Sequence, residues 1–419
     1  MNTDAIINRL EQAQNPEADI ALLRRAINCE SITGNETGYA ELLREEMKEF
    51  GLDTGSAEFQ PGRVNVWGRL TGTAPGPALI YVGHTDTVHV KGWKEQWQGL
   101  QQEDPFSAAL IDGEIWGRGS CDLKGGICAS LASIRLLELA GFQLGGSVSF
   151  AFVGDEESGE PGTGRSAGAK KLAGLVESGE IPKPDFAIYV EPTNLDVCTA
   201  QIGFFIAEIS VRGKSAYFGK PELGADALKA AHSVLSAIWC HEKELAAGPK
   251  HELVGASSIL VTGINGGGYI AVPGECRMSL IRKLRPGEDV DTAVAMFEAA
   301  LRTVPEQAGI SIEVSYPSGR DHPLGGSPAE IRPDEPAALL LSSAINDVSG
   351  NSGSIGGAPY WSESPFLINE VGCPTVYCAP GDISVAHTVH ERIDVRQYLS
   401  AIRSFALFSL RYCGVGGAA

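Results

Sequence analysis

The chain contains no run of about 18 apolar residues, which excludes a conventional membrane-spanning helix. It contains no C-x-x-C pair either. Its nine cysteines, at 29, 121, 128, 198, 240, 276, 373, 378 and 413, form an odd and unpatterned set, which reads as reduced thiols and not as a disulfide framework. Positive charge is scarce: 33 lysines and arginines face 52 acids, for a formal net charge of −19. Nucleic acid and anionic membrane surfaces are therefore excluded as expected partners. The first residues, "MNTDAIINRLEQAQNPEADIALLRR", lack the apolar core of a secretion signal, so the cytoplasm is the expected compartment. No internal repeat or low-complexity tract is present. The glycine-rich "NGGGY" (265–269) carries neither G-x-x-x-x-G-K-[ST] nor G-x-G-x-x-G between strand and helix, which sets nucleotide binding aside.

What is present is an ordinary globular composition, 43% hydrophobic and 20% charged, in 419 residues, enough for a full-sized core and two domains. Residues 1–200 alternate strand and helix. "AELLREEMKEF" (40–50) places Leu43, Met47 and Phe50 on one helical face, with Gly51 as a stop. "PALIYVGH", "SVSFAFV" and "DFAIYVEP" are continuous apolar runs, as strands covered on both faces must be. "KGGICASLASIRLLELAG" (124–141) reads as a helix closed by Gly141. Residues 201–318 read as β-α-β-β-α-β, a split βαβ unit of ferredoxin-like order and compact enough to stand alone. "GCPTVYCAPGD" then returns to a buried strand, and "DVRQYLSAIRSFALFSLRY" closes the chain as an amphipathic helix with a capping-box pattern at Asp394 and Gln397. The expected fold is α/β: a mostly parallel sheet domain (1–200 and 319–419) with an inserted α+β domain (201–318).

Polar residues cluster at the ends of the apolar strands, where open α/β sheets bind ligands. His84 and Asp86 follow the first, in "GHTDT"; as i and i+2 of an extended segment they share a face, so Asp86 can bond the second nitrogen of His84. Asp122 precedes "LKGG". Asp155, Glu156 and Glu157 follow "SVSFAFV", Glu191 follows "DFAIYV", and His387 and His390 lie in "GDISVAHTVHE". Any one of these alone reads as a cap or a solvated loop residue. Five strand ends that each deliver a His, Asp or Glu read differently. Carboxylates at close quarters need positive charge, and no matching Lys/Arg cluster accompanies them. A dinuclear metal site is the reading that accounts for all five.

At these residues the chain resembles the two-metal amidohydrolase/peptidase family of acetylornithine deacetylase, succinyl-diaminopimelate desuccinylase, aminoacylase and glutamate carboxypeptidase. The matches are "GHTDTV", "GRGSCDLKGG", "GDEESG", "EPT" and "GD…AHTVHE", in family order. The resemblance implies that His84 and Glu191 hold one metal, that Glu157 and His387 hold the other, and that Asp122 bridges them. It implies two zinc ions per subunit, with cobalt as a common substitute. Asp86 becomes the orienter of His84, Glu156 the general base, and Asp155 a structural loop residue. It further implies a small-molecule amide substrate bearing a carboxylate, an inserted domain acting as a lid, and a homodimer formed through that lid.

The lid departs from the family pattern. Many relatives carry a histidine in a stretch like "GKSAH", where this chain has Tyr217, a phenol that can donate one hydrogen bond or simply pack. Ala271 stands where many relatives have asparagine. Arg282, in "LIRKLRPGE", sits near the family's carboxylate-binding arginine, with Arg285 as the alternative. His390 is read as a neighbour of His387 and not a ligand, and Glu363 as a candidate pocket wall. The expectation is a metal-dependent hydrolase of a small N-acyl amino acid or similar amide. A dipeptidase or carboxypeptidase of the same family, or a metal-containing binding protein without turnover, are the alternatives.

Overall fold

The structure is a computed structural model that describes residues 2–158, 162–350 and 353–416. The chain divides into two compact units: 1–199 with 331–358 and 362–419, and 200–330 with 359–361.

The first unit is built on one large sheet. Its strands run in the order Asp53–Gln60, Arg63–Thr71, Ser147–Val153, Ala78–His84, Phe186–Tyr189, Thr375–Tyr377 and Val197–Gln201. The four strands from Ser147–Val153 to Thr375–Tyr377 pair in parallel. Both flanks are antiparallel. The parallel core is thus the part written as continuous apolar runs: Ser147–Val153 and Phe186–Tyr189 are buried at every position. Asp53–Gln60 has no buried position and joins its neighbour by a hairpin, so the sheet is mixed and not parallel throughout.

Helix Gly125–Leu139 is buried along nearly its whole length. Its second residue, Gly126, explains the glycine pair: a Cβ there would lie 2.2 Å from the Val190 carbonyl oxygen. That contact brings the helix start against the chain between strand Phe186–Tyr189 and Glu191. The helix expected at 40–50 spans Thr37–Glu49, with Leu43 and Met47 buried and Gly51 at φ 75°. Helix Val395–Cys413 begins as expected, with Asp394 accepting from the Gln397 N–H at 2.8 Å. The other half of the capping box differs. The Gln397 side chain accepts from the Gly381 N–H at 2.7 Å and so ties the helix to the loop that leads to His387.

The second unit has the order strand Gly203–Arg212, helix Ala227–Ala247, strands Ser258–Gly266 and Glu275–Leu284, helix Val290–Leu301, strand Ser311–Ser315. Its main strands pair antiparallel, with Glu275–Leu284 and Ser311–Ser315 on either side of Gly203–Arg212. Asp226 and Asp289 cap the two helices by accepting N–H bonds from their first turns. Phe205, Ile209, Val234, Ile238, Leu280 and Phe297 belong to its core. The unit also takes residues 319–330 and 359–361, beyond the segment read from sequence. Gly325 and Gly326 pair with Phe205 and Phe204, and the Trp361 indole packs on Phe204 and donates to the Ser327 carbonyl at 3.1 Å.

Candidate metal centre

Four of the polar groups come from the loops after the parallel strands, and the fifth, Asp122, comes from the turn before helix Gly125–Leu139, after a short strand of a separate antiparallel sheet and not at the end of a strand of the main sheet as expected. The His84 ring places Nε2 3.2 Å from Asp122 Oδ1 and 3.6 Å from Glu191 Oε1. Across the site, His387 Nε2 lies 3.1 Å from Asp122 Oδ2 and 2.8 Å from Glu157 Oε1. Asp122 therefore turns one oxygen to each imidazole. Two sets of ligand atoms lie within 4.8 Å of one another and share it: His84, Asp122 and Glu191, and Asp122, Glu157 and His387. A third set of the same tightness joins His84, Glu156 and Glu157.

The electrostatics of the bare side chains demand positive charge. Burial pushes the Glu191 carboxyl up to about 8, and the Asp122 charge adds to the push. Burial also raises Glu156 well above the carboxylate range; His84 works against this, while Glu157 and Glu191 add to it. Burial opposes charge on the His387 ring, yet its bonds to Asp122 and Glu157 outweigh that and lift it to about 11. The same two imidazoles hold Asp122 below its ordinary range against the pull of burial. Asp122 Oδ1 has no hydrogen-bond partner although it is buried. Imidazole nitrogen and carboxylate oxygen are the donors that zinc and similar divalent ions take. These residues fit a pair of such ions.

The supporting contacts refine two expectations. The second nitrogen of His84 does have a partner, but it is the main-chain oxygen of Asp86, at 2.9 Å; the Asp86 carboxylate is 3.9 Å away. That carboxylate instead accepts from the N–H groups of Glu157, at 2.8 Å, and Glu156, at 3.3 Å, and from the Thr33 hydroxyl at 3.0 Å. Asp86 orients the ring with its backbone and the Glu156–Glu157 turn with its side chain. An extended i and i+2 pair does not distinguish the two oxygens, which is why the sequence pointed to the wrong one of them.

Asp155 is buried at φ 75°, a backbone conformation that non-glycine residues seldom adopt. Its carboxylate accepts from the N–H groups of Gly164 and Arg165, both at 3.1 Å, and pairs with Arg63 at 2.9 Å. It thus ties the chain just before Glu156 and Glu157 to residues 164–165 and to Arg63; Gly159, the last residue of "GDEESG", lies outside the described residues. Glu191 receives a 2.7 Å bond from the Ser362 hydroxyl, and Glu363 receives one of the same length from the Tyr189 phenol. Glu363 is fully buried, so it is a wall of the unit's interior. Ser362, Thr33 and Arg63 carry no spacing signal and were not found in the sequence.

Tyr217 and Arg282 belong to the second unit. Tyr217 is 63% exposed, packs against Phe218, and pairs through its backbone with Ala271. Arg282 is fully buried and donates to Glu288 at 3.0 Å; its Nε and Nη1 have no partner among the described residues. Arg285 is half-buried and donates to the Pro286 carbonyl. His390 packs edge-on against Trp97.

An α/β sheet with two imidazoles and a carboxylate shared between them beside the ends of its parallel strands defines a class of protein: one with a candidate site for a pair of divalent ions. Similarity to known proteins carries this to a family. A profile of peptidase family M20/M25/M40 matches residues 80–411, and the chain belongs to that family. It is 29% identical over 393 residues to a succinyl-diaminopimelate desuccinylase of Gluconobacter oxydans (strain 621H), which covers 90% of this chain and 92% of the relative. It is 25% identical over 405 residues to an N-formyl-4-amino-5-aminomethyl-2-methylpyrimidine deformylase of Bacillus subtilis (strain 168), covering 90% of each. Its fold matches that of an M20 family metallo-carboxypeptidase from Sulfolobus solfataricus with a TM-score of 0.74 at 18% identity, over 94% of this chain and 99% of the other.

Proposed function

We propose that this chain is a cytoplasmic, two-zinc enzyme that hydrolyses the amide bond of a small N-acyl amino acid or a similar carboxylate-bearing compound. The observation that carries the reading is Asp122, with one oxygen turned to His84 and the other to His387. His84 and Glu191 would hold one ion, and Glu157 and His387 the other; cobalt suits the same donors. When bound, such ions polarise the amide carbonyl and acidify a water.

The residues of the chain do the rest. Glu156 stands within the cluster beside His84 and Glu157, half-buried. It takes a proton from the attacking water and gives it to the departing amine. Asp86 holds the Glu156 and Glu157 N–H groups, so the base and a ligand keep a fixed relation. The second unit would act as the lid. Its exposed Tyr217 phenol is free to donate one hydrogen bond to the developing oxyanion. Arg282 has two nitrogens without a hydrogen-bond partner, but it is fully buried inside the second unit, so it would meet a substrate carboxylate only after a rearrangement that uncovers it.

The homodimer is supported by the sheet edge of the second unit. Ser258–Gly266 is the outermost strand there and leaves Leu260 and Ile264 exposed, with Tyr269 and Ile270 exposed just beyond it. The cytoplasm is supported by nine free cysteines, most of them buried. The decisive experiment measures amine release from a panel of N-acyl, N-carbamoyl and dipeptide compounds, with and without chelator, on zinc-loaded protein. Chelator-sensitive release from N-acyl compounds is expected. Release only from dipeptides would move the assignment to a dipeptidase, and no release with two ions bound would favour a binding protein. Sedimentation of the same sample gives the subunit count.

A further inference from the structure

We propose that Glu391, backed by Arg118, is a positioning residue that holds the Asp122 loop and the His387 loop together as one piece. The inference rests on the two-site reading above and names what keeps those sites in register. Glu391 is fully buried, and Arg118 is 3% exposed. Glu391 Oε1 accepts from the main-chain N–H of Cys121 at 3.1 Å and of Asp122 itself at 3.0 Å. Its other oxygen, Oε2, accepts from Arg118 Nη1. The second guanidinium nitrogen, Nη2, donates to the carbonyl of His89 at 3.1 Å and to that of Thr388, the residue after His387, at 3.3 Å. The Gly117 N–H completes the join by donating to the Glu391 carbonyl at 3.2 Å.

The physical need is plain. The turn before helix Gly125–Leu139 presents N–H groups that the helix itself cannot satisfy. Left unpaired in a buried place, each would carry the full cost of its desolvation. One carboxylate satisfies two of them and carries a full charge, which Arg118 neutralises. Glu391 is thereby committed on both oxygens and is not a ligand. Its effect reaches the cluster through position: Asp122 is gripped at its own N–H, and the His387 side is fastened both at Thr388 and at Glu391. A slip of this join moves Asp122 and His387 relative to His84 and Glu191, which are anchored elsewhere, by Asp86 and Ser362.

The test uses Glu391→Gln, which keeps an acceptor for the N–H groups but turns an NH2 toward Arg118, and Arg118→Lys, which keeps the charge and loses the fork. Glu46→Gln, which alters the Arg25–Glu46 ion pair, is the control for general weakening. Each folded protein is titrated with zinc alone, and its cobalt(II) form is examined by visible absorption, which reports the coordination of the ion. We expect zinc affinity at the weaker of the two sites to fall about 10–100-fold in both variants, the usual effect of losing a residue that holds a ligand. The cobalt band should change, while Glu46→Gln leaves both readings at wild-type values. Two ions bound at wild-type affinity with an unchanged cobalt spectrum would overturn the proposal, as would an equal loss in the control. If Glu391→Gln does not fold, Arg118→Lys decides by the same criteria. Wild-type protein that binds no zinc would instead defeat the two-site reading itself, and the first titration separates that outcome from the others.

Discussion

The two halves of the cluster are built differently. His84 and Glu191 have side chains only 1% and 4% exposed, and each is fixed from behind, one by the Asp86 carbonyl and the other by the Ser362 hydroxyl. On the other side Glu157 is 6% exposed but His387 is 53% exposed, on a loop where its own φ is 60°. One half is preorganised at the end of rigid strands. The other is a buried acid facing an imidazole that water can reach. An ion gains affinity where its ligands are already oriented and desolvated, so the His84 half should hold its ion more tightly. The open half should exchange more readily.

The strongest way to break the difference is to remove what the halves share. Asp122→Ala should strip both ions and reduce amine release to the uncatalysed background, since the metals supply several kcal/mol of transition-state stabilisation. Metal analysis of the purified variant alongside the rate checks it. A variant that keeps two ions would show that Asp122 is not the shared ligand. Next in size is Glu156→Gln, which should leave both halves loaded and lower kcat by about 10²–10⁴, the range for a general base. Wild-type turnover by this variant would remove Glu156 from the mechanism, whereas loss of metal would make it a ligand.

The same contrast marks what the sequence could reveal. The parallel strands are legible because burial on both faces leaves only apolar residues, and the polar residue that ends each run is then conspicuous. His84, Glu157 and Glu191 are of this kind, whereas Asp122 follows a short antiparallel strand and His387 lies ten residues past its strand. The antiparallel flank is not: "DTGSAEFQ" has too little apolar content to declare a strand, and it forms one by pairing with Arg63–Thr71. Contacts between distant segments leave no local pattern. Arg118 and Glu391 are 273 residues apart, and Ser362 meets Glu191 across 171. The extent of the second unit was hidden for the same reason, since Gly325–Gly326 joins its sheet through a two-residue pairing and Trp361 through its ring. Asp86 was legible as a partner of His84, but a sequence cannot tell a carbonyl oxygen from a carboxylate.

A smaller change can bring the halves closer together. Ser362→Ala removes the hydroxyl that holds Glu191 and nothing from the His387 side. Zinc affinity at the tighter site should fall about 10–100-fold, with the weaker site unchanged. Two well-separated binding steps in a zinc titration should then draw together. Steps that keep their wild-type spacing would mean that Glu191 is oriented by its strand and not by Ser362.

The smallest expected effect falls on a histidine that neighbours the open half in sequence. His390 lies three positions beyond His387, and two histidines so spaced invite assignment as a ligand pair. The structure gives His390 a different job: its ring stands edge-on to Trp97 with centroids 5.1 Å apart, and its N–H donates to the Thr388 hydroxyl at 3.0 Å. Such ring contacts contribute about 0.5–1.5 kcal/mol. His390→Phe keeps the stacking and removes every metal-binding nitrogen. It should therefore leave zinc stoichiometry, both affinities and kcat within about twofold of wild type, with at most a slight change in thermal stability, because surface substitutions that keep their packing stay within roughly 0.5 kcal/mol. A lost ion in this variant would give the open half a second imidazole and so erase the asymmetry argued above. An unchanged titration would leave His387 as that half's one imidazole and its exposure as the reason it binds more weakly.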